Sequence, residues 1–446
     1  MFYRLVRTIV SVALGLFYRI EVIRRVDDFA GPVMFVGNHQ NSLIDPAMVF
    51  MITDRQVTFL AREPLFRVPV MGWILRGVGA LRVYRKQDHP GLMEKNEGTL
   101  DAAAGALTSQ KAITIFPEGK SHSEPQLSDV KTGCARIALK AARAGQALRI
   151  IPIGLTYAQK HLFRSKVHVE VGEPLLVQAV AEGALTGEAE QEWVRNLTAR
   201  VGEAIRNVTI NLETWEDLDL IQTADRLFAL RNGYREKDAD RLRLFARGAS
   251  LLRAVDPERF DDLKEDVLSF HARLEVVNAN PGDLAVTFEQ RSVRSFVMRN
   301  LFSIVFGFPL FAVGMVLFVL PYYFLKALAL AVPVSKDRVG TLKFISAAIM
   351  VPLWWTLLTA GGWAAWGVPG MILMLTGTVP LAIFTLYFLE RRRAALNDVV
   401  AFFKLGNRKE LRAHLLAEGE RLQEEIQRIA EELKPKLQAA AELRAP

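Results

Sequence analysis

The sequence predicts an α/β domain with a mainly parallel sheet, followed by a helical region and a C-terminal helical membrane domain. Three observations carry that reading. Short β-rich runs alternate with amphipathic helical runs between residues 31 and 178. Two stretches, 301–325 and 344–389, contain no Asp, Glu, Lys or Arg. The first is long enough for one membrane crossing and the second can hold two. Soluble patterning then returns from residue 391 to the end.

Composition narrows the partners. The chain has 446 residues, 51% of them hydrophobic, and a formal net charge of +8; its pI is about 9.5. That length leaves room for two or three domains. Excess positive charge beside long apolar runs points to an anionic membrane surface and phosphorylated ligands. Nucleic acid is not favoured, because there is no zinc-finger spacing, basic helix-turn-helix or stacking platform. The single cysteine, Cys134, excludes an internal disulfide and a Cys-based metal site.

In residues 1–30, Phe2, Val6, Ile9, Ala13, Phe17 and Ile20 recur three or four apart among Arg4, Arg7 and Arg19. This predicts an N-terminal helix lying in a membrane interface, with a core helix as the alternative. The α/β domain follows over 31–178. Strands are expected at 33–36, 56–60, 81–84, 112–116, 149–156 and 167–171, with helices at 92–108 and 133–144. Residues 179–298 read as a helical region without recognisable chemistry, with a turn at Asn280-Pro281-Gly282. His89, His161, His168, His271 and His414 read as ordinary surface or core residues.

Membrane segments are expected within 299–390, at about 301–333, 344–364 and 368–389, the last two parted by Gly367-Val368-Pro369-Gly370. Lys336, Arg338 and Lys343 precede the hairpin and Arg391, Arg392 and Arg393 follow it, which puts both its ends on the cytoplasmic side. Pro309, Pro321 and Lys326 predict that 301–334 bends back instead of crossing. In the tail, 391–446, Leu415, Leu422, Ile426, Ile429, Leu433 and Leu437 fall at helical spacing, as in a packing helix or short coiled coil.

The candidate chemistry lies in Gly37-Asn38-His39-Gln40-Asn41-Ser42-Leu43-Ile44-Asp45-Pro46. Histidine titrates near neutrality and suits proton abstraction from a hydroxyl. A carboxylate on its other ring nitrogen would fix the tautomer and stabilise the cation formed. In an unbroken helix His39 and Asp45 would lie on different faces, so a bend must bring them together, and Asn41, Ser42 and Pro46 favour one. Taken alone, such a pair also fits a satisfied turn histidine. Other chemistries lack their motifs. There is no Gly-x-Ser-x-Gly and no His-Glu-x-x-His, and Thr114 stands where a P-loop ending in Gly119-Lys120-Ser121 needs glycine.

Three further segments give the pair a context: Gly79-Ala80-Leu81-Arg82-Val83-Tyr84-Arg85, Phe116-Pro117-Glu118-Gly119-Lys120-Ser121-His122 and Ile151-Pro152-Ile153-Gly154. In this order and at these intervals, the four resemble the blocks of the glycerolipid acyltransferases (the phospholipid/glycerol acyltransferase family), over about residues 30–175. The resemblance implies a membrane-bound O-acyltransferase of phospholipid biosynthesis. Such an enzyme moves a fatty acyl group from acyl-CoA or acyl-ACP to glycerol 3-phosphate or 1-acylglycerol 3-phosphate. It implies His39 as general base and Asp45 as its orienting acid. Arg85, Glu118 and Gly119 would bind the glycerol phosphate, and Pro152 would belong to the acyl-donor side. No metal is implied, and no cofactor beyond the acyl-CoA or acyl-ACP co-substrate. The partners implied are membrane phospholipid, the acyl donor and the phosphorylated acceptor. The location implied is the cytoplasmic face of a membrane, the bacterial inner membrane being favoured.

The chain departs from the family pattern in two places. Five residues separate His39 from Asp45, where most members have four. Lys120-Ser121-His122 stands where many read Thr-Arg-Ser, so that Lys120 replaces the charge of the absent arginine without its bidentate geometry. Together with Lys131-Thr132-Gly133 and the apolar C-terminal blocks, these features are similar to the fungal-type glycerol-3-phosphate/dihydroxyacetone-phosphate acyltransferases and their bacterial relatives. His122 reads equally as a site residue or a turn histidine. The alternatives to this reading are a membrane-anchored scaffold with a vestigial site and an acyltransferase for another lysophospholipid.

Overall fold

The computed structural model describes all residues except 86–90, 92–93, 182, 233–238, 278, 280, 282–283, 285–289, 407–408 and 443–446. His89, and Asn280 and Gly282 of the expected turn, lie outside the described residues. The chain forms two compact units, Met1–Asn211 with Ala331–Ser346, and Leu212–Leu330 with Ala347–Pro446.

In the first unit, helix α1 (Phe2–Phe17) turns Tyr3, Leu14 and Phe17 into the core. Leu5, Ile9, Val12 and Leu16, again three or four apart, are exposed on its other side. The helix is therefore apolar on two faces, one of which packs on the sheet. It ends earlier than its periodicity predicts. Tyr18 to Val22 alternate inward and outward with a period of two, and they open strand β1 (Tyr18–Arg24). Ile20 fits both periods, which is why it reads as helical in isolation.

The remaining elements are β2 (Val33–Gly37), α2 (Ile44–Met48), β3 (Val57–Arg62), α3 (Pro69–Gly77), β4 (Leu81–Val83), α4 (Lys95–Thr108), β5 (Ala112–Ile115), α5 (Gly133–Arg143), β6 (Leu148–Tyr157), β7 (Ser165–Val171), β8 (Leu175–Val177) and α6 (Gly187–Val208). Among the described residues the sheet has eight strands, in the order β1-β7-β6-β2-β5-β3-β4, with β8 also paired to β6. Strands β2 to β6 run parallel. Strands β7 and β8 are antiparallel to β6, and β1 follows β7. The sheet is thus mixed and mostly parallel.

All four residues Val33 to Val36 are 0% exposed, as a strand covered on both faces requires. Val33 and Phe35 join a core with α1 and α2. Met34 and Val36 join one with α4, α5 and α6. Ala135, Ala138, Ala141 and Ala142 let α5 lie close to the sheet. Helix α6 begins the stretch expected as a separate helical region, yet Leu197, Val201 and Ile205 pack in this core.

In the second unit, helices α7 (Glu216–Asn232), α8 (Ala239–Val255) and α9 (Pro257–Val277) precede α10 (Gln290–Ala331), α11 (Val339–Gly406) and α12 (Lys409–Glu442). Leu415, Leu422, Ile426, Ile429 and Leu433 of α12 pack with Leu227, Phe260, Phe270 and Leu274. The helical middle and the tail therefore share one core.

Segments Val305–Ala331 and Val339–Arg392 are long and apolar enough to cross a membrane, and their most apolar windows are only 11% and 17% buried. The expected bend-back is not found. Pro309 and Pro321 lie within one helix, because a proline in an apolar helix costs a hydrogen bond without ending the path. The break in α11 falls at Gly367, whose φ of 64° favours glycine. Small residues bring these helices close, with Gly314 against Thr385 and Gly362 against Gly370. The Trp354 indole N–H donates to the Leu317 carbonyl at 2.9 Å.

A Cβ at Gly154 in β6 would fall 1.8 Å from the Val208 carbonyl oxygen, so α6 seats directly on this strand. We expect Gly154→Ala to cost about 3 kcal/mol, since backbone rather than a flexible side chain must move. Gly98 in α4 has nothing within 4 Å of its added Cβ, so Gly98→Ala should instead stabilise by about 0.5–1 kcal/mol. Thermal unfolding in detergent checks both signs.

Candidate active site

Strand β2 stops at Gly37, but the chain stays tied to β6 for one more residue. The Asn38 side-chain amide donates to the Leu155 carbonyl at 2.9 Å, and the Leu155 N–H donates back to Asn38 Oδ1 at 2.8 Å. The amide replaces a peptide unit and frees the main chain to turn. Ser42, with φ 43°, completes the bend, and α2 opens with Asp45 in its first turn. The turn brings His39 Nδ1 to 2.8 Å from Asp45 Oδ2.

Asp45 is 0% exposed, so its charge needs donors. The Asn41 N–H donates to Oδ2 at 2.6 Å and the Tyr157 hydroxyl to Oδ1 at 2.6 Å. Burial and then the Asp45 charge push the Tyr157 pKa well above its ordinary value, so its hydroxyl remains a donor. Tyr18, its pKa also raised by burial, donates to the Lys160 carbonyl at 2.5 Å and accepts from Asn41 Nδ2 at 3.1 Å. With Asp45 accepting from Nδ1, the His39 lone pair is left on Nε2. The ring packs against Phe116, centroids 4.8 Å apart, and the side chain stays 13% exposed.

Glu118 is also buried. Its Oε1 accepts the His39 N–H at 2.6 Å, while Oε2 accepts from the Ser128 N–H at 2.7 Å and from His122 Nε2. Gly119 has φ 71°, and its added Cβ would lie 2.9 Å from Lys131 Nζ. Lys120 and Lys131 are exposed at this turn. Lys160 Nζ donates to the Gln40 carbonyl at 2.9 Å and to Ser123 Oγ at 2.8 Å. Burial lowers the Lys160 pKa, opposed by the carboxylates of Asp45 and Asp337.

Arg85 lies two residues past β4, at the same carboxyl edge as His39 and Glu118. It stands three strands from β2, which is roughly 14 Å at the usual strand spacing of about 4.8 Å. Pro152 is elsewhere. It is buried within β6, where pairing passes from β8 (148–150) to β7 (153–157), and its missing N–H falls at that change.

Residues 331–346 join the site from far along the chain. The Ser121 hydroxyl donates to Asp337 at 2.6 Å, and the Leu43 N–H donates to Thr341 Oγ1 at 3.2 Å. Sequence reasoning missed Asn38, Tyr157, Ser128, Lys160, Asp337 and Thr341. Asn38 lies inside the motif, but nothing local marks the others.

Residues 17–156 match the family model described as Acyltransferase. Glycerol-3-phosphate O-acyltransferase 2 of Saccharomyces cerevisiae is 33% identical over 135 residues, 30% of this chain and 18% of that protein. Glycerol-3-phosphate O-acyltransferase 1 of the same yeast is 28% identical over 178 residues, 39% of this chain and 23% of that protein. The 1-acyl-sn-glycerol-3-phosphate acyltransferase of Streptococcus pneumoniae is 26% identical over 177 residues, 39% of this chain and 59% of that protein. The chain thus matches only about a fifth of the length of the two yeast relatives. A solved 1-acyl-sn-glycerophosphate acyltransferase from Thermotoga maritima aligns at TM-score 0.32 and 17% identity, over 46% of this chain and 79% of that one. At that distance it adds nothing to the topology above.

Tyr157→Phe removes one donor from the buried Asp45 carboxylate without changing the ring. Its expected cost is about 1–3 kcal/mol of stability, read as a lowered midpoint of thermal unfolding.

Proposed function

This chain belongs, through residues 17–156, to the glycerolipid acyltransferase family, and from that premise we propose that it transfers a fatty acyl group to a phosphorylated glycerol. The donor is acyl-CoA or acyl-ACP. The acceptor is glycerol 3-phosphate or 1-acylglycerol 3-phosphate. One observation carries the reading: a buried carboxylate at 2.8 Å from His39 Nδ1 leaves Nε2 as the free base.

The chemistry needs little more than a positioned base, because a thioester is already activated and an alcohol is a poor nucleophile. His39 Nε2 takes the hydroxyl proton as the oxygen attacks the thioester carbonyl. Asp45 holds the ring and stabilises the imidazolium. Collapse of the tetrahedral adduct breaks the carbon–sulfur bond, and the thiolate recovers the proton from His39. The ester and the free thiol leave, and no acyl-enzyme forms. Arg85, Lys120 and Lys131 supply positive charge for the acceptor phosphate.

The two apolar helical segments support an integral membrane protein. The positive flanks around the second segment support a catalytic unit on the cytoplasmic face. The exposed apolar side of α1 supports contact with that surface.

Thiol release from acyl-CoA and acyl-ACP, run with glycerol 3-phosphate, dihydroxyacetone phosphate and 1-acylglycerol 3-phosphate, tests the proposal. Acceptor-dependent release is expected with at least one combination. No release with any acceptor would leave a scaffold. His39→Ala should lower kcat by about 10²–10⁴-fold in a folded protein. Arg85→Ala should raise KM for the phosphorylated acceptor about tenfold and leave that for the donor unchanged, a loss of about 1.4 kcal/mol.

A further inference from the structure

Within that reading, we propose that Glu118 and His122 are positioning residues that clamp the main chain of His39, and that neither is a ligand of the acceptor. The two peptide planes flanking the His39 Cα are both held from the turn after β5. The His39 N–H donates to Glu118 Oε1 at 2.6 Å, and the His122 N–H donates to the His39 carbonyl at 3.1 Å. These planes set φ and ψ of His39, while Asp45 sets the rotation of its ring. A displacement of about 1 Å at such a group can cost roughly 10²-fold in rate.

The Glu118 carboxylate is fully engaged in this task. It is 1% exposed, and it receives three N–H groups, from His39, Ser128 and His122. The His122 tautomer follows from its other side. The Glu124 N–H donates to Nδ1 at 3.2 Å, so Nδ1 carries the lone pair and Nε2 the hydrogen that reaches Glu118. A substrate hydroxyl would have to displace one of these donors, and a substrate phosphate would bring negative charge towards a buried carboxylate. His122 is itself 9% exposed, so it supports Glu118 from within the fold.

The test separates a clamp from a contact. Glu118→Gln keeps the shape but turns an amide N–H₂ towards a donor, and His122→Leu removes one donor. Both should lower kcat roughly 10–100-fold while KM for the phosphorylated acceptor stays within about twofold. His122→Gln restores an N–H near the same place and should recover most of the loss. A tenfold rise in acceptor KM at unchanged kcat in Glu118→Gln would overturn the proposal by making Glu118 a substrate ligand; so would full activity in that variant. Thermal unfolding verifies that each variant is folded. If Glu118→Gln fails to fold, the His122 pair decides. A second readout needs no turnover: the rate at which diethylpyrocarbonate modifies His39, followed by peptide mass spectrometry. It should rise at least threefold in Glu118→Gln and His122→Leu and return towards the parent value in His122→Gln. Equal rates in all would overturn the clamp, whereas a parent protein inactive with every acceptor would overturn only the acyltransferase reading.

Discussion

A carboxylate withdrawn from water has to be met by donors, and most of the first unit is arranged around that demand at Asp45. Its three donors come from two places: the ring of His39 and the main chain at Asn41 in the turn after β2, and the hydroxyl of Tyr157 at the end of β6. Tyr18 at the start of β1 then steadies Asn41. Unpaired buried charge costs far more than an unmade neutral hydrogen bond. The pairing of β6 with β2 and of β1 with β7 is therefore part of what holds the imidazole in its orientation. The His39–Asp45 geometry is thus a consequence of the fold, and does not belong to the ten-residue motif alone.

That dependence sets what could be read in advance. Val33 to Val36 announce a doubly covered strand by composition, and His39 with Asp45 announce a bend because no straight helix lets them meet. The alternation at Tyr18–Val22 was hidden by a helical period that Ile20 also satisfies. Tyr157, Lys160 and the 331–346 segment carry no local mark, since what recruits them is distance along the folded chain. Thr341 reaches the turn from 298 residues away. Glu118 was legible as a functional position, but which atoms it serves was not; only the count of donors around its two oxygens shows that it faces inward.

The second unit makes the same point with apolar groups. Leu415, Leu422, Ile426 and Ile429 reveal an amphipathic helix by spacing alone, whereas their partners on α7 and α9 lie far earlier in the chain and share no pattern with them. The prolines at 309 and 321 misled in the opposite direction. In a soluble helix they would argue for interruption, but in this apolar one the path continues through both.

The departures at Lys120-Ser121-His122 become intelligible on this footing. Where many relatives place an arginine, this chain has Ser121, and its hydroxyl is bound to Asp337. An arginine there would meet a carboxylate buried to 7% exposure and spend its charge on it. The next position is His122, which completes the shell of Glu118. Two of the three altered residues are therefore engaged inside the protein, one by a segment covalently continuous with both apolar helices. Of the three, only Lys120 is exposed. Lys131, folded over Gly119, adds a second exposed cation at the same turn. Lys120 and Lys131 thus place two flexible ammonium groups at this edge. Such a pair offers charge without the fixed bidentate geometry of a guanidinium.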